Sequence, residues 1–147
     1  MAHPEIDPNI GPARGTTDLA PHAAGGGARA DRLAESIQAA ARPQSMPVNM
    51  YESDGAIVIV APLPGVMADD VEIEVHADRV RIWADCRSLA PKDYLLHEWH
   101  YGPYERVVEL PEGFEGEPAA SFGNGQLAVR IGRGGSRPDV LVLQPAG

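Results

Sequence analysis

Residues 70–84 restrict the folds open to this chain more than any other stretch. Asp70-Val71-Glu72-Ile73-Glu74-Val75 alternates strictly between acidic and β-branched side chains. Ala77-Asp78 has turn character, and Arg79-Val80-Arg81-Ile82-Trp83-Ala84 alternates again with arginines on the polar face. A period of two puts every second side chain on the same side of an extended backbone, so each segment reads as a strand with one buried face. Acids outside on one strand and bases outside on the next predict an antiparallel pair with opposite charges across the ladder.

The rest of the chain from residue 48 onward has the same texture. Residues 48–51 are a short strand candidate, followed by a turn at Ser53-Asp54-Gly55. Ala56-Ile57-Val58-Ile59-Val60-Ala61 is a continuous apolar run of strand length, as expected for a strand covered on both faces, and Pro62-Leu63-Pro64-Gly65 stops it. In residues 104–110, Tyr104, Arg106, Val108 and Leu110 share one face, and Pro111 ends the run. A polar loop over 112–118 leads into residues 120–131, where Asn124-Gly125 favours a two-residue hairpin turn because both residues tolerate positive φ. Beyond it Leu127, Val129 and Ile131 point one way, and Ala128 and Arg130 the other. Between the strands at 79–84 and 104–110, residues 94–99 (Tyr94-Leu95-Leu96-His97-Glu98-Trp99) form a further strand candidate. Seven or eight short strands with close turn signals and no helix among them predict an all-β fold, a single immunoglobulin-like antiparallel β-sandwich over 48–131.

The flanks differ. Residues 1–47 hold eleven Gly and Pro and no Phe, Trp or Tyr. Such a segment buries too little apolar area to offset an ordering entropy of about 1–2 kcal/mol per residue, so an N-terminal arm that is mostly disordered is expected. The exception is 28–41, where Leu33, Ile37 and Ala40 or Ala41 make one helical stripe and Pro43 closes it. A frayed helix and a small docking element both fit that stripe. Residues 132–147 form a C-terminal extension in which a Gly/Arg linker precedes Val140-Leu141-Val142-Leu143.

Several function classes are excluded or disfavoured. The formal charge of −9 argues against a nucleic-acid surface, which would need a basic patch. No apolar run near the N-terminus has the length of a signal peptide or membrane span, so a soluble, cytoplasmic protein without a membrane partner is expected. The one cysteine, Cys86, cannot make an intrachain disulfide, which fits a reducing compartment, and no neighbouring feature activates it. His97-Glu98-Trp99-His100 is not H-E-x-x-H, and histidines three apart on a strand face opposite ways, so no metal site is expected. No phosphate loop of the Gly-x-x-x-x-Gly-Lys-Ser/Thr type is present. The remaining acids are scattered on strand faces. Neither an enzyme nor a cofactor is expected.

The order of the segments resembles the α-crystallin domain of the small heat shock proteins. Ala120, Asn124, Gly125 and Leu127 match the signature Ala-x-x-x-Asn-Gly-Val-Leu, with Gln126 in place of Val. Leu63-Pro64-Gly65 resembles the family's Leu-Pro-Gly turn. Glu98 with Gly102-Pro103-Tyr104-Glu105-Arg106 resembles its Glu…Gly-x-Phe-x-Arg run, and Leu110-Pro111-Glu112-Gly113 its Leu-Pro-x-Gly.

That resemblance implies an ATP-independent holdase chaperone that binds partly unfolded client proteins and prevents their aggregation. It also implies a homodimer, in which the loop strand 94–99 crosses to a second subunit, and growth into a larger homo-oligomer. The implied dimer interface comprises Tyr94, Leu96, Glu98, Tyr104 and Arg106. The implied tail motif is Val140, Leu141, Val142 and Leu143, docking beside Val71, Ile73 and Val75 of a neighbouring subunit, with Val140 and Val142 the preferred inserting pair. The alternative for the tail is a last strand of its own domain. Pro118 stands where the family prefers an aliphatic residue and is expected to end that strand early. The aromatic-free arm points to modest activity. A different class of function also fits a sandwich of this kind: a non-holdase binding or assembly module like the CS-domain co-chaperones. Those generally lack both the loop strand and the apolar C-terminal motif, and candidates for both occur here.

Overall fold

The computed structural model describes residues 26–87, 92–99 and 101–147. The expectation of disorder over 1–25 and the placement of His100 lie outside the described residues. The chain divides into two compact units, one drawn from 1–41 and 89–100, the other from 42–88 and 101–147.

In the first unit, helix α1 covers Gly26–Ala41. Its stripe residues Leu33 and Ile37 are exposed. Arg29 and Arg32 both reach the carboxylate of Asp93, at 3.0 and 2.6 Å. The Arg32 hydrogen bond, the larger effect, and the nearby charges hold that carboxyl below its usual pKa.

The second unit is an antiparallel β-sandwich of two four-stranded sheets. Its strands are β1 (Asn49–Ser53), β2 (Ala56–Pro62), β3 (Val71–His76), β4 (Arg79–Ala84), β5 (Tyr104–Glu109), β6 (Pro118–Gly123), β7 (Gln126–Gly132) and β8 (Val140–Leu143). One sheet runs β1-β2-β7-β6 and the other β5-β4-β3-β8. The count of eight agrees with the sequence, but its last member is the C-terminal tail. Residues 94–99 form no strand in the single chain; the strand expected there is one made on a second subunit.

Local chemistry explains the hairpins. Asp54 and Gly55 have φ of 51° and 72°, and Asn124 and Gly125 have 52° and 72°, so both two-residue turns use the left-handed region that matches strand twist. The two alternating segments pair as β3 and β4 with Glu74 opposite Arg81, and their charged atoms meet at 2.8 Å. Arg81 also reaches Glu105 on β5 at 2.8 Å and lies over the Trp83 ring. Those bonds, Glu105 foremost, raise its already high pKa.

The inward faces close a dry core. Ile59, Leu127, Val129 and Ile131 from one sheet meet Val71, Ile73, Val75, Val80 and Ile82 from the other, all essentially without solvent exposure. Each such aliphatic side chain contributes about 1.5–3 kcal/mol on burial. Pro118 does not shorten its strand. It is the first residue of β6, an edge strand, where a missing N–H is tolerated.

Candidate interaction edges

Four of the motif segments meet at defined points of the sandwich. The Leu63 N–H donates to the Gly125 carbonyl at 2.8 Å, joining the Leu-Pro-Gly turn to the Asn-Gly turn. The Tyr104 hydroxyl donates to the Pro64 carbonyl at 2.9 Å, and the Leu110 N–H donates to Asp78 O at 2.8 Å. These turns fix the ends of the strands and thereby which edges stay open.

A sandwich of two open sheets has four edges, and each exposes a ladder of backbone donors and acceptors. The tail covers one side. β8 pairs antiparallel with β3, with Val75 opposite Leu141 and Ile73 opposite Leu143. Ala146 then bridges to β6: the Phe122 N–H donates to Ala146 O at 2.8 Å, and the Ala146 N–H donates to Ala120 O at 3.0 Å. On the opposite side, the backbone of Gln44 binds the start of β5 through Pro103 O and the Glu105 N–H, at 2.6 and 2.9 Å. Among the described residues no strand pairs with the outer ladder of β1. Met50 and Tyr51 on β1 are exposed, and a shallow apolar cleft beside it is lined by Pro47, Val48, Asn49, Val60, Pro62 and Gln126.

Within the single chain the tail differs from that expectation in three respects. Val140–Leu143 lies on its own domain, because β3 offers a free antiparallel ladder within reach of the linker. On its own domain the half-buried pair is Leu141 and Leu143, whereas Val140 and Val142, the pair expected to insert into a neighbour, are 50% and 57% exposed. Val71, Ile73 and Val75 do not line an outer groove. Their side chains fill the core, and it is the β3 backbone that receives the tail.

The interface set separates. Tyr104 is 3% exposed and is a core residue, so it offers no surface to a partner. Arg106 is half-buried and donates to the Met46 carbonyl at 2.8 Å. In the other unit Leu95, Leu96, Glu98 and Trp99 are exposed, and the Tyr94 ring stacks on His97 with centroids 4.2 Å apart. Two features were not read from the sequence: the Gln44 bridge and the contacts of Arg137. Neither follows from periodicity, and only the position of Arg137 in a glycine linker marks it out.

A match to the Hsp20/alpha crystallin family spans residues 49–139, from the start of β1 to the residue before β8. The chain belongs to the Hsp20/alpha crystallin family. Small heat shock proteins form a chaperone family that is generally non-enzymatic. The chain is 30% identical over 104 residues to the 18 kDa antigen 1 of Mycobacterium intracellulare, covering 69% of this chain and 70% of that one. It is 34% identical over 90 residues to the 18.1 kDa class I heat shock protein of Pisum sativum, covering 57% and 56% of the two. The crystal structure of hspA from Xanthomonas axonopodis has the same fold, with a TM-score of 0.57, 23% identity and coverage of 63% of this chain and 96% of that one. Cys86, half-buried beside the Gly65 carbonyl at 3.8 Å, takes no part in these edges. No described helix is long and apolar enough to cross a membrane.

Proposed function

We propose that this small heat shock protein is an ATP-independent holdase, which binds partly unfolded proteins through an open strand edge and the apolar side chains around it. The observation that carries this reading is the outer ladder of β1, on which no strand pairs among the described residues, with Met50 and Tyr51 exposed along it. An extended client segment satisfies such a ladder by adding a strand, and exposed apolar side chains supply contact without sequence selectivity. Holding of this kind needs no bond to be broken and hence no nucleotide.

The same edge supports assembly. Leu95, Leu96 and Trp99 are exposed, and among the described residues, 94–99 belong to no strand of either sheet. In this reading they pair with β1 of a second subunit, with Glu98 and Arg106 at the margin of that contact. The dimer and any larger homo-oligomer built from it would work in the cytoplasm.

One observation favours a second reading. The tail already caps β3 and β6 of its own sandwich, which suits a closed binding or assembly module without general holdase activity. Turbidity of a thermally aggregating test client, heated with the full chain and no nucleotide, separates the two. Suppression at modest potency is expected. Turbidity untouched by a several-fold molar excess of the chain replaces the holdase with the second reading.

A further inference from the structure

Residues 133–139 carry the chain from β7 in one sheet to β8 in the other. This crossing is built, not slack. Gly134 and Gly135 both have positive φ, 72° and 77°, which turns the chain sharply. The Gly116 N–H donates to Gly132 O at 3.1 Å, and a side chain at Gly116 would meet the carbonyls of Gly132 and Gly134 at 3.0 and 3.1 Å. Just past the turn, the Arg137 guanidinium points inward. One terminal nitrogen donates to Phe114 O at 2.7 Å and Gly116 O at 3.1 Å, and the other donates to His76 O at 2.8 Å. Those carbonyls belong to the loop before β6 and the end of β3. Two residues, Pro138 and Asp139, separate Arg137 from the first tail strand residue, Val140.

We propose that Arg137 is a lock that holds the C-terminal segment on its own sandwich, and so decides whether the edges of β3 and β6 are capped from within or offered to the tail of a second copy. The guanidinium suits the task because its planar fork of donors engages several carbonyls at once. With the lock closed, β8 starts in register on β3. With it open, the linker residues are free to extend by up to about 3.3–3.6 Å each, and the tail becomes a strand seeking any free ladder. The proposal deepens the assembly half of the reading above, but its test involves no client.

The test uses the full chain with Cys86→Ser, Glu74→Cys and Val142→Cys. Glu74 and Val142 stand directly opposite across the β3–β8 ladder. Under mild oxidation, a tail on its own domain gives an intrachain link, and a tail on a neighbour gives a linked dimer on a non-reducing gel. With Arg137 in place, intrachain links are expected to dominate. Arg137→Ala is expected to raise the interchain share several-fold, and Arg137→Lys to fall between them. Should Arg137→Ala fail to fold, Arg137→Lys carries the same comparison, since an ammonium cannot span all three carbonyls. An interchain share that does not respond to either change overturns the lock, as does a predominance of interchain links with Arg137 intact. Absence of any link overturns the intrachain tail itself.

Discussion

Leu143 stands directly across from Ile73 in the β3–β8 ladder, so the C-terminal segment is a strand of the sandwich that precedes it. Leu141 and Leu143 are half-buried, and their valine neighbours face solvent. Leu141→Ala with Leu143→Ala is therefore expected to destabilise the fold by about 1–3 kcal/mol, part of the value for full burial of two leucines. Val140→Ala with Val142→Ala is expected to cost well under about 1 kcal/mol, mostly strand preference. Chemical denaturation of both double variants checks this, and a larger loss from the valine pair would restore the other register.

The Arg81 side chain sits between Glu74 and Glu105, about 30% exposed, so solvent screens the network. Arg81→Gln is expected to lower stability by less than about 1 kcal/mol, with the difference from the parent shrinking as salt is added. Thermal melts across a salt series measure it.

Asp70 gives a pH dependence. Its carboxylate accepts from Arg87 at 2.7 Å and from the Met67 N–H at 3.0 Å. The Arg87 bond, the largest effect, and the Met67 bond outweigh burial and hold the carboxyl below its usual pKa. A folded-state pKa below the unfolded one, about 3.9, contributes stability above that pH and loses it as pH falls through the folded value. Asp70→Asn is expected to flatten the acid side of a plot of melting temperature against pH. An unchanged acid limb would remove Asp70 from the account.

Loop pairing makes a separate prediction. If residues 94–99 lie on β1 of a second subunit, Leu96→Pro removes a ladder donor and strains the strand. Light scattering should then report monomers where the parent chain gives dimers. An unchanged dimer would exclude this mode of association.

The sequence made some of this legible and hid the rest for physical reasons. The β3–β4 pair was readable because period-two burial and opposed charges are local signals, and Glu74 opposite Arg81 realises both. The inner face of β5 was readable too, yet the interface role given to Tyr104 came from resemblance, and its ring lies in the core. In Val140-Leu141-Val142-Leu143 both faces are apolar, so a slip of one residue leaves the pattern unchanged and the register has no sequence signal. The Gln44 bridge and the Arg137 clamp bind distant backbone carbonyls, and carbonyls are present at every residue, so nothing in the sequence marks their partners.

The central claim is that the chain holds unfolding proteins without refolding them. Its most direct measurement is size-exclusion chromatography with light scattering of a test client enzyme heated with the full chain in the absence of nucleotide. The account predicts a soluble complex containing both proteins, with the client inactive. Client lost to the pellet, or eluting alone beside unbound chain, would contradict it.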